Sequence, residues 1–257
     1  MTVLITGASK GIGKDMALEF AKQGHNLALI ARSTELLEEL KTNIEKSHPI
    51  KVTIYTCDLA DDKARRNFLN SFTESIEIVI NNAGYGDFAF FADADIDKNL
   101  KMVDLNIKAL MELCHHFSKK FIIENDPNKN YKILNVASIA GFCPGSFMAT
   151  YYATKAFVLS FTNALHSEFK TKGIHFASLC PGATHSEFGK EAGVSNSFAF
   201  KMAMSGARVA KITYKNLMKN KRIIIPGIRN KLIVAMLKMT PSDKLADMNG
   251  QLMSTSN

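Results

Sequence analysis

Thr2-Val3-Leu4-Ile5-Thr6-Gly7-Ala8-Ser9-Lys10-Gly11-Ile12-Gly13 opens the chain with a β-branched apolar run, a glycine-rich turn and the start of an amphipathic segment. From Ile12 onward, Met16, Ala17, Phe20 and Ala21 recur at helical spacing, so the stretch reads as strand, tight turn and helix. In such a unit Gly7 permits the sharp exit from the strand, Gly11 lets a pyrophosphate approach the backbone, and Gly13 lets the helix lie close to the sheet. The free N–H groups and partial positive charge of the helix start favour phosphate. A turn without a ligand is the plain alternative. The flanking strand and helix favour a dinucleotide, with Ser9, Lys10 and Ile12 beside the glycines as contacts.

Which dinucleotide depends on the end of the next apolar run, Asn26 to Ser33, where a carboxylate would hold a ribose 2′-hydroxyl. This chain has Ala31 and Arg32 there. A guanidinium fork suits a 2′-phosphate, and Lys10 adds a second positive charge, so the expected cofactor is NADP(H). The competing reading makes Arg32 and Lys10 ordinary surface charges.

At 257 residues and 46% hydrophobic, the chain suffices for a large single core, and one domain over 1–257 is expected. No linker, low-complexity tract or repeat interrupts it. The first strand begins at Thr2, which leaves no room for a signal peptide, and no apolar run approaches the roughly 20 residues of a membrane span. A soluble, cytoplasmic protein is expected. Cys57, Cys114, Cys143 and Cys180 lack metal-ligand spacing and read as buried thiols, and the His residues form no metal pattern. The net charge of +8 is uneven: no acidic residue lies between Glu191 and Asp243, where basic residues run from Lys201 to Lys238. A solvated basic face is the simple reading; an anionic membrane surface or an acidic carrier is the other. No nucleic-acid module is readable.

Further apolar runs at Lys51–Cys57, Ile76–Asn81, Lys132–Ala137, His175–Cys180 and Arg222–Pro226 alternate with helical patterns. One starts at Ser33 or Thr34 and continues through Leu36, Leu37, Leu40 and Ile44; others span Leu59–Thr73 and Asp97–Phe117. Strands without polar alternation, separated by helices, imply an α/β fold of three layers: a doubly wound Rossmann arrangement around a seven-stranded, mainly parallel sheet. Ligands then gather beyond the carboxyl ends of the strands. Residues 184–214 break the rhythm with Phe188, Phe198, Phe200, Met202 and Met204, and read either as a substrate flap or as a helical excursion packed on the body.

Ser138 follows the apolar strand Ile133–Ala137, and Tyr151 and Lys155 share one face of the next helix by their i, i+4 spacing. A phenol with an ordinary pKa near 10 is a poor acid at neutral pH, and a nearby ammonium favours its phenolate. Tyr151 then suits proton donation to a carbonyl oxygen during hydride transfer, with Ser138 hydrogen-bonded to the same oxygen. Tyr152, whose i+4 neighbour is Ala156, reads as packing.

With these residues in view, the chain resembles the short-chain dehydrogenase/reductase family from Thr2 to about Pro226. Thr6, Gly7, Gly11 and Gly13 meet its T-G-x-x-x-G-x-G pattern, Asn81-Asn82-Ala83-Gly84 its N-N-A-G, and Ser138, Tyr151 and Lys155 its S…Y-x-x-x-K. The resemblance implies that Asn106 is a fourth catalytic member, holding a water that links Lys155 to solvent. It also implies that Asp58, with Leu59 beside it, meets the adenine, that Asn82, Ala83 and Gly84 border the cofactor, and that Pro181, Gly182, Thr184 and Ser186 form the nicotinamide-side loop. Ser186 stands where Thr is usual. Homodimers or homotetramers are implied as well. On their own, Asn106 and Asp58 read equally as caps or solvated polar residues.

The substrate is expected to be a small-molecule carbonyl or alcohol of hydrophobic character, with Phe88, Phe90, Gly141, Phe142, Pro144, Phe147 and the aromatics of the 184–214 flap as pocket candidates. A 3-oxoacyl thioester is an alternative substrate, and a non-catalytic NADP(H)-binding sensor or scaffold the alternative function. Lys231–Lys238 reads as a core helix, or else as a segment touching a membrane surface.

Overall fold

The computed structural model describes residues 1–194, 203–241 and 243–247. β1 (Thr2–Thr6) is buried along nearly its whole length and pairs in parallel with β2 (Asn26–Ala31) and β4 (Ile78–Asn81). β3 (Val52–Thr56), β5 (Lys132–Val136) and β6 (His175–Leu179) extend the sheet. Between the sixth strand and the last lies a small parallel ribbon of β7 (Thr184–His185) and β8 (Met204–Ser205), and β9 (Ile223–Ile224) then closes the far edge. The order β3-β2-β1-β4-β5-β6-β9, parallel throughout, is a Rossmann-like α/β sheet of seven strands. Its order reverses between β1 and β4, and the glycine turn leaves β1 at that crevice.

α1 (Gly11–Lys22), α2 (Thr34–Ser47) and the later helix Gly206–Met218 cover one face, around Met16, Phe20, Leu37 and Leu217. α3 (Asp62–Ser71), α5 (Leu110–Glu124) and α6 (Ala149–Glu168) cover the other, around Phe68, Phe117, Phe121 and Val158. Each such buried side chain stabilises the fold by roughly 1.5–3 kcal/mol. α3 starts later than the pattern from Leu59 predicts, because Asp61 Oδ1 accepts the Ala64 N–H at 2.6 Å and caps the helix there. Ser33 occupies the N-cap of α2, but its hydroxyl donates to Glu35 at 3.2 Å rather than capping the backbone. The Asp97–Phe117 pattern becomes α4 (Ile96–Val103), a π-helical turn over Asp104–Ala109, and α5.

Two expectations for the C-terminal third change. The flap drawn over 184–214 divides: Phe188 lies in the short α7 (Phe188–Glu191), whereas Phe198, Phe200 and Met202 lie outside the described residues. From Gly206 onward the chain is α8 (Gly206–Met218), packed on α1 with Val209, Ala210 and Leu217 buried and Tyr214 edge-on to Phe20 at 5.1 Å. Its apolar positions at helical spacing make it part of the body. Lys231–Lys238 is not a core helix. It belongs to α9 (Ile228–Met239), in which Val234 alone is buried.

Candidate active site

The turn after β1 depends on backbone conformations that favour glycine. Gly7 has φ +63° and Gly11 φ +53°. A Cβ on Gly7 would stand 2.9 Å from Ala83 Cα, and one on Gly11 3.1 Å from Ser186 Cβ, so the cradle is walled by the β4 loop and by the loop after β6. Gly13 lies beneath this cradle rather than on it. A Cβ there would run into the Gly7 carbonyl and the Asn82 amide, so Gly13 acts by close helix packing and is not among the cleft-lining residues. Thr6 and Asn82 hold the two strand ends together: Thr6 Oγ1 accepts from the Asn82 and Ala83 N–H groups at 3.0 Å, and Asn82 Nδ2 donates to the Thr6 and Gly7 carbonyls at 2.9 and 3.1 Å.

A continuous cleft of about 550 Å³ runs from this cradle in both directions. At one end stand Arg32, Ser33, Leu36, Asp58 and Leu59, with Lys10 beside the turn. In the middle lie Gly7, Ser9, Gly11, Ile12, Asn82, Ala83 and Gly84. At the other end Ser138, Tyr151 and Lys155 meet Pro181, Gly182, Thr184 and Ser186. Arg32 and Lys10 are both exposed at the rim. Asp58 Oδ1 accepts the Ala60 N–H at 3.0 Å, which closes a local turn behind the cleft wall.

Ser138 stands just past β5, where its hydroxyl accepts the Ala140 N–H at 3.1 Å and donates to the Pro181 carbonyl at 3.4 Å. Tyr151 and Lys155 project from the first turns of α6 and are both buried. Burial pushes the Tyr151 phenol up to about 12, and its hydrogen bond with Ser138 pulls the other way. Burial also brings the Lys155 ammonium down to about 8. Lys155 Nζ donates to the Val136 carbonyl at 2.8 Å and lies 5.8 Å from the centre of the Tyr151 ring. Against the expectation of a lowered phenol, burial dominates the protein's own contribution at Tyr151.

Asn106 sits in the π-helical turn and does not line the cleft. Its Oδ1 accepts the Tyr85 N–H at 3.2 Å, and its Nδ2 donates to the Tyr85 carbonyl at 3.0 Å and to Thr154 Oγ1 at 3.1 Å. A Cβ on Gly84 would stand 2.8 Å from Asn106 Oδ1 and 3.5 Å from Lys155 Nζ, so both groups back onto the same glycine.

None of the pocket candidates Phe88, Phe90, Gly141, Phe142, Pro144 and Phe147 lines the cleft. Phe88 and Phe147 stack on each other at 5.6 Å, Phe90 packs at their edge, and Gly141 lies against the Lys155 backbone. Phe188, a flap aromatic within the described residues, does line the cleft, and the wall beside Tyr151 is completed by Tyr85, Met148, Tyr152 and Val194. Tyr152 is therefore a wall residue and not mere packing; its ring meets that of Tyr151 edge-on at 6.0 Å. Tyr85 directly follows Asn82-Ala83-Gly84, a position that marks it in retrospect. Met148, Glu187, Glu191 and Val194 carry no comparable signal. Among the described residues no group of three or more His, Cys, Asp and Glu stands ready for a metal ion, and none of the Cys residues is in a disulfide.

The model of the family described as short chain dehydrogenase matches residues 1–197. The protein belongs to this family. Short-chain dehydrogenases as a family act on carbonyl and alcohol groups with a nicotinamide dinucleotide cofactor. The glycine cradle and the long cleft fit such a group: the turn after β1 admits its phosphates and no Cβ intrudes. A very-long-chain 3-oxoacyl-CoA reductase of Anas platyrhynchos is 33% identical over 184 residues, which are 69% of this chain and 58% of that relative. The dehydrogenase thus spans little more than half the length of that protein. Sulfoacetaldehyde reductase 2 of Chromohalobacter salexigens is also 33% identical, over 190 residues that make up 72% of this chain and 73% of the relative. A short-chain dehydrogenase from Sphingobium yanoikuyae in complex with NADPH superposes with a TM-score of 0.82 at 30% identity, covering 88% of each chain.

Proposed function

We propose that the protein is an NADP(H)-dependent oxidoreductase that interconverts a carbonyl and an alcohol on a hydrophobic small molecule, with Tyr151 as acid and base. The observation that carries this reading is one cleft with Arg32 and Lys10 at one end and Ser138, Tyr151 and Lys155 buried together at the other. Two cations at the ribose end suit a 2′-phosphate, and the absence of a carboxylate at the end of β2 removes the usual partner of a 2′-hydroxyl. The Sphingobium yanoikuyae structure, with NADPH bound, supports the same choice.

When bound, NADP(H) supplies or accepts the hydride at the substrate carbon. In reduction the Tyr151 hydroxyl gives its proton to the carbonyl oxygen, so that the alkoxide never accumulates. Ser138 donates a hydrogen bond to the same oxygen and offsets the charge that grows there. Lys155, charged below about pH 8, stabilises the Tyr151 phenolate and returns a proton to it. Asn106 fixes the Tyr85 backbone and Thr154 and shares Gly84 with Lys155, and on this reading it supports the replacement of that proton from behind the cleft. Oxidation uses the same groups in reverse.

Two relatives of equal identity act on a very-long-chain acyl thioester and on a small sulfonated aldehyde, so the pocket must choose the substrate. Here the wall beside Tyr151 is Tyr85, Met148, Tyr152, Phe188 and Val194, mostly apolar, with Glu187 and Glu191 the charged side chains that line the same cleft from α7 and the residue before it. An aliphatic, acyl or steroid-like ketone or aldehyde suits that wall, and a 3-oxoacyl thioester is the form in which the basic surface would also be used. NADPH absorbance, followed across ketones, acyl thioesters and short charged aldehydes, tests the reading with the native protein and Tyr151→Phe. The expected result is turnover of apolar carbonyls, lost by at least about 100-fold in the variant while NADPH still binds. Tight NADPH binding without turnover of any carbonyl would favour a sensor. We further expect a cytoplasmic homodimer or homotetramer of single-domain chains, which light scattering reads directly.

A further inference from the structure

α9 carries apolar side chains on both of its faces, yet among the described residues only one of them is covered. Its inner face holds Val234, buried, with Ile233 and Leu237 half-buried. At its first turn Asn230 packs on Gly182, and its later part lies on the turn after Ser138, with Lys238 Nζ 5.3 Å from the Phe142 ring. The outer face carries Ile228, Leu232, Met236 and Met239, exposed by 73%, 59%, 60% and 86%, with Ala235 exposed among them. Steps of four, four and three residues place these side chains in one line, roughly 16 Å long at the rise of an α-helix. A helix that is apolar all round is ordinarily enclosed on both sides.

The other exposed side chains of this helix limit what encloses it. Lys231 and Lys238 are exposed and cationic, and no acidic residue occurs from 192 to 242. A second copy joined symmetrically through this face would set these cations against themselves, because a two-fold interface brings the same patch to both sides. Nucleic acid would satisfy the cations and leave the apolar line against phosphate. An interface with apolar depth and anionic headgroups satisfies both features at once.

We propose that the outer face of α9 docks the protein on an anionic lipid surface, with Ile228, Leu232, Met236 and Met239 sunk among the acyl chains and Lys231 at the headgroups. The dock is peripheral: among the described residues no helix is long and apolar enough to cross a membrane. Because α9 touches Gly182 and the turn after Ser138, docking sets the catalytic end of the cleft close to the bilayer. The inference stands apart from the choice of cofactor and substrate, since binding is measured without turnover.

The experiment is co-sedimentation of the full-length protein with phosphatidylcholine vesicles and with mixed phosphatidylcholine–phosphatidylserine vesicles, at low and high salt. The expected result is a partition coefficient at least about tenfold higher on the mixed vesicles, reduced by salt. Leu232→Gln with Met236→Gln should lower it by about tenfold or more, and Lys231→Gln by about fivefold. These positions are exposed and lie outside the cleft, so thermal melting and carbonyl turnover in solution should be unchanged. Failure of the native protein to sediment with the mixed vesicles overturns the proposal. So does sedimentation that the double variant leaves intact, or a native oligomer that the double variant converts to monomer while vesicle binding is absent.

Discussion

Replacing Lys155 by Met should make the protein more stable at neutral pH while abolishing turnover. In the folded protein burial brings this ammonium from 10.5 to about 8. The difference of about 2.5 pKa units corresponds to roughly 3 kcal/mol of cost carried by the folded state whenever Lys155 is charged. Met fills similar volume without charge. It leaves the Val136 carbonyl without its 2.8 Å donor, at a cost of about 1–2 kcal/mol for a buried acceptor. The net expectation is a gain of about 1–2 kcal/mol near pH 7. Its pH dependence is the sharper test. Between pH 8 and 10.5 an unfolded Lys holds a proton that the folded one has lost, so native stability rises with pH through that window, and the variant lacks this rise. Urea unfolding of both proteins at several pH values from 7 to 10 reads the difference. The advantage of Lys155→Met should shrink with rising pH and be gone or reversed by pH 10, where the desolvation cost has fallen to about 1 kcal/mol and no longer exceeds that of the lost hydrogen bond. A difference that stays constant from pH 7 to 10 would refute the claim that desolvation sets this group.

Three other outcomes follow from the same geometry. Arg32→Glu should shift the ratio of kcat/KM for NADPH over NADH by at least about tenfold towards NADH, since it removes a charge-assisted contact and adds a repulsive one; an unchanged ratio would make Arg32 a surface charge. Ser138→Ala should lower kcat by about 100-fold or more with little change in NADPH affinity, measured by fluorescence titration. Arg65 is wholly buried and donates to Glu112 at 2.9 Å, to the Leu59 carbonyl at 2.6 Å and to Asp62 at 2.6 Å. Arg65→Met should therefore cost about 3 kcal/mol in urea unfolding and raise KM for NADPH, because Leu59, whose carbonyl it holds, lines the cleft beside Asp58.

Much of this protein was legible because its signals are local. A strand, a glycine turn and a helix within a dozen residues leave few ways to fold, and the continuous apolar runs at Lys132–Ala137 and His175–Cys180 require a sheet covered on both faces. The i, i+4 spacing of Tyr151 and Lys155 likewise places both on one face of α6 before any tertiary contact is known. The substrate wall was misread for the opposite reason. Phe88, Phe90, Phe142 and Phe147 are aromatic and close in sequence to Ser138 or to Asn82-Ala83-Gly84, yet they do not line the cleft, while Tyr152 and Phe188 do. Aromatic character reports that a side chain will be covered and not by what.

The C-terminal third shows the same division. The sequence allows a flap or a helical excursion over 184–214 and a helix over Lys231–Lys238, but only the structure shows Val209, Ala210 and Leu217 packed on α1 and Leu232 and Met236 facing outward. Nor does any pattern reveal Asn106 spending its whole amide on Tyr85 and Thr154, or Arg65 buried between three acceptors. Sequence by itself determined the strand order's raw material, the glycine cradle, the Tyr151–Lys155 pair and the cations Arg32 and Lys10, because backbone geometry and residue spacing act over a few residues. Tertiary structure alone decided which side chains wall the cleft, how far burial shifts Tyr151 and Lys155, and which face of α9 is left to the outside. Those outcomes depend on what distant segments place opposite a residue, and desolvation and packing are properties of that neighbourhood.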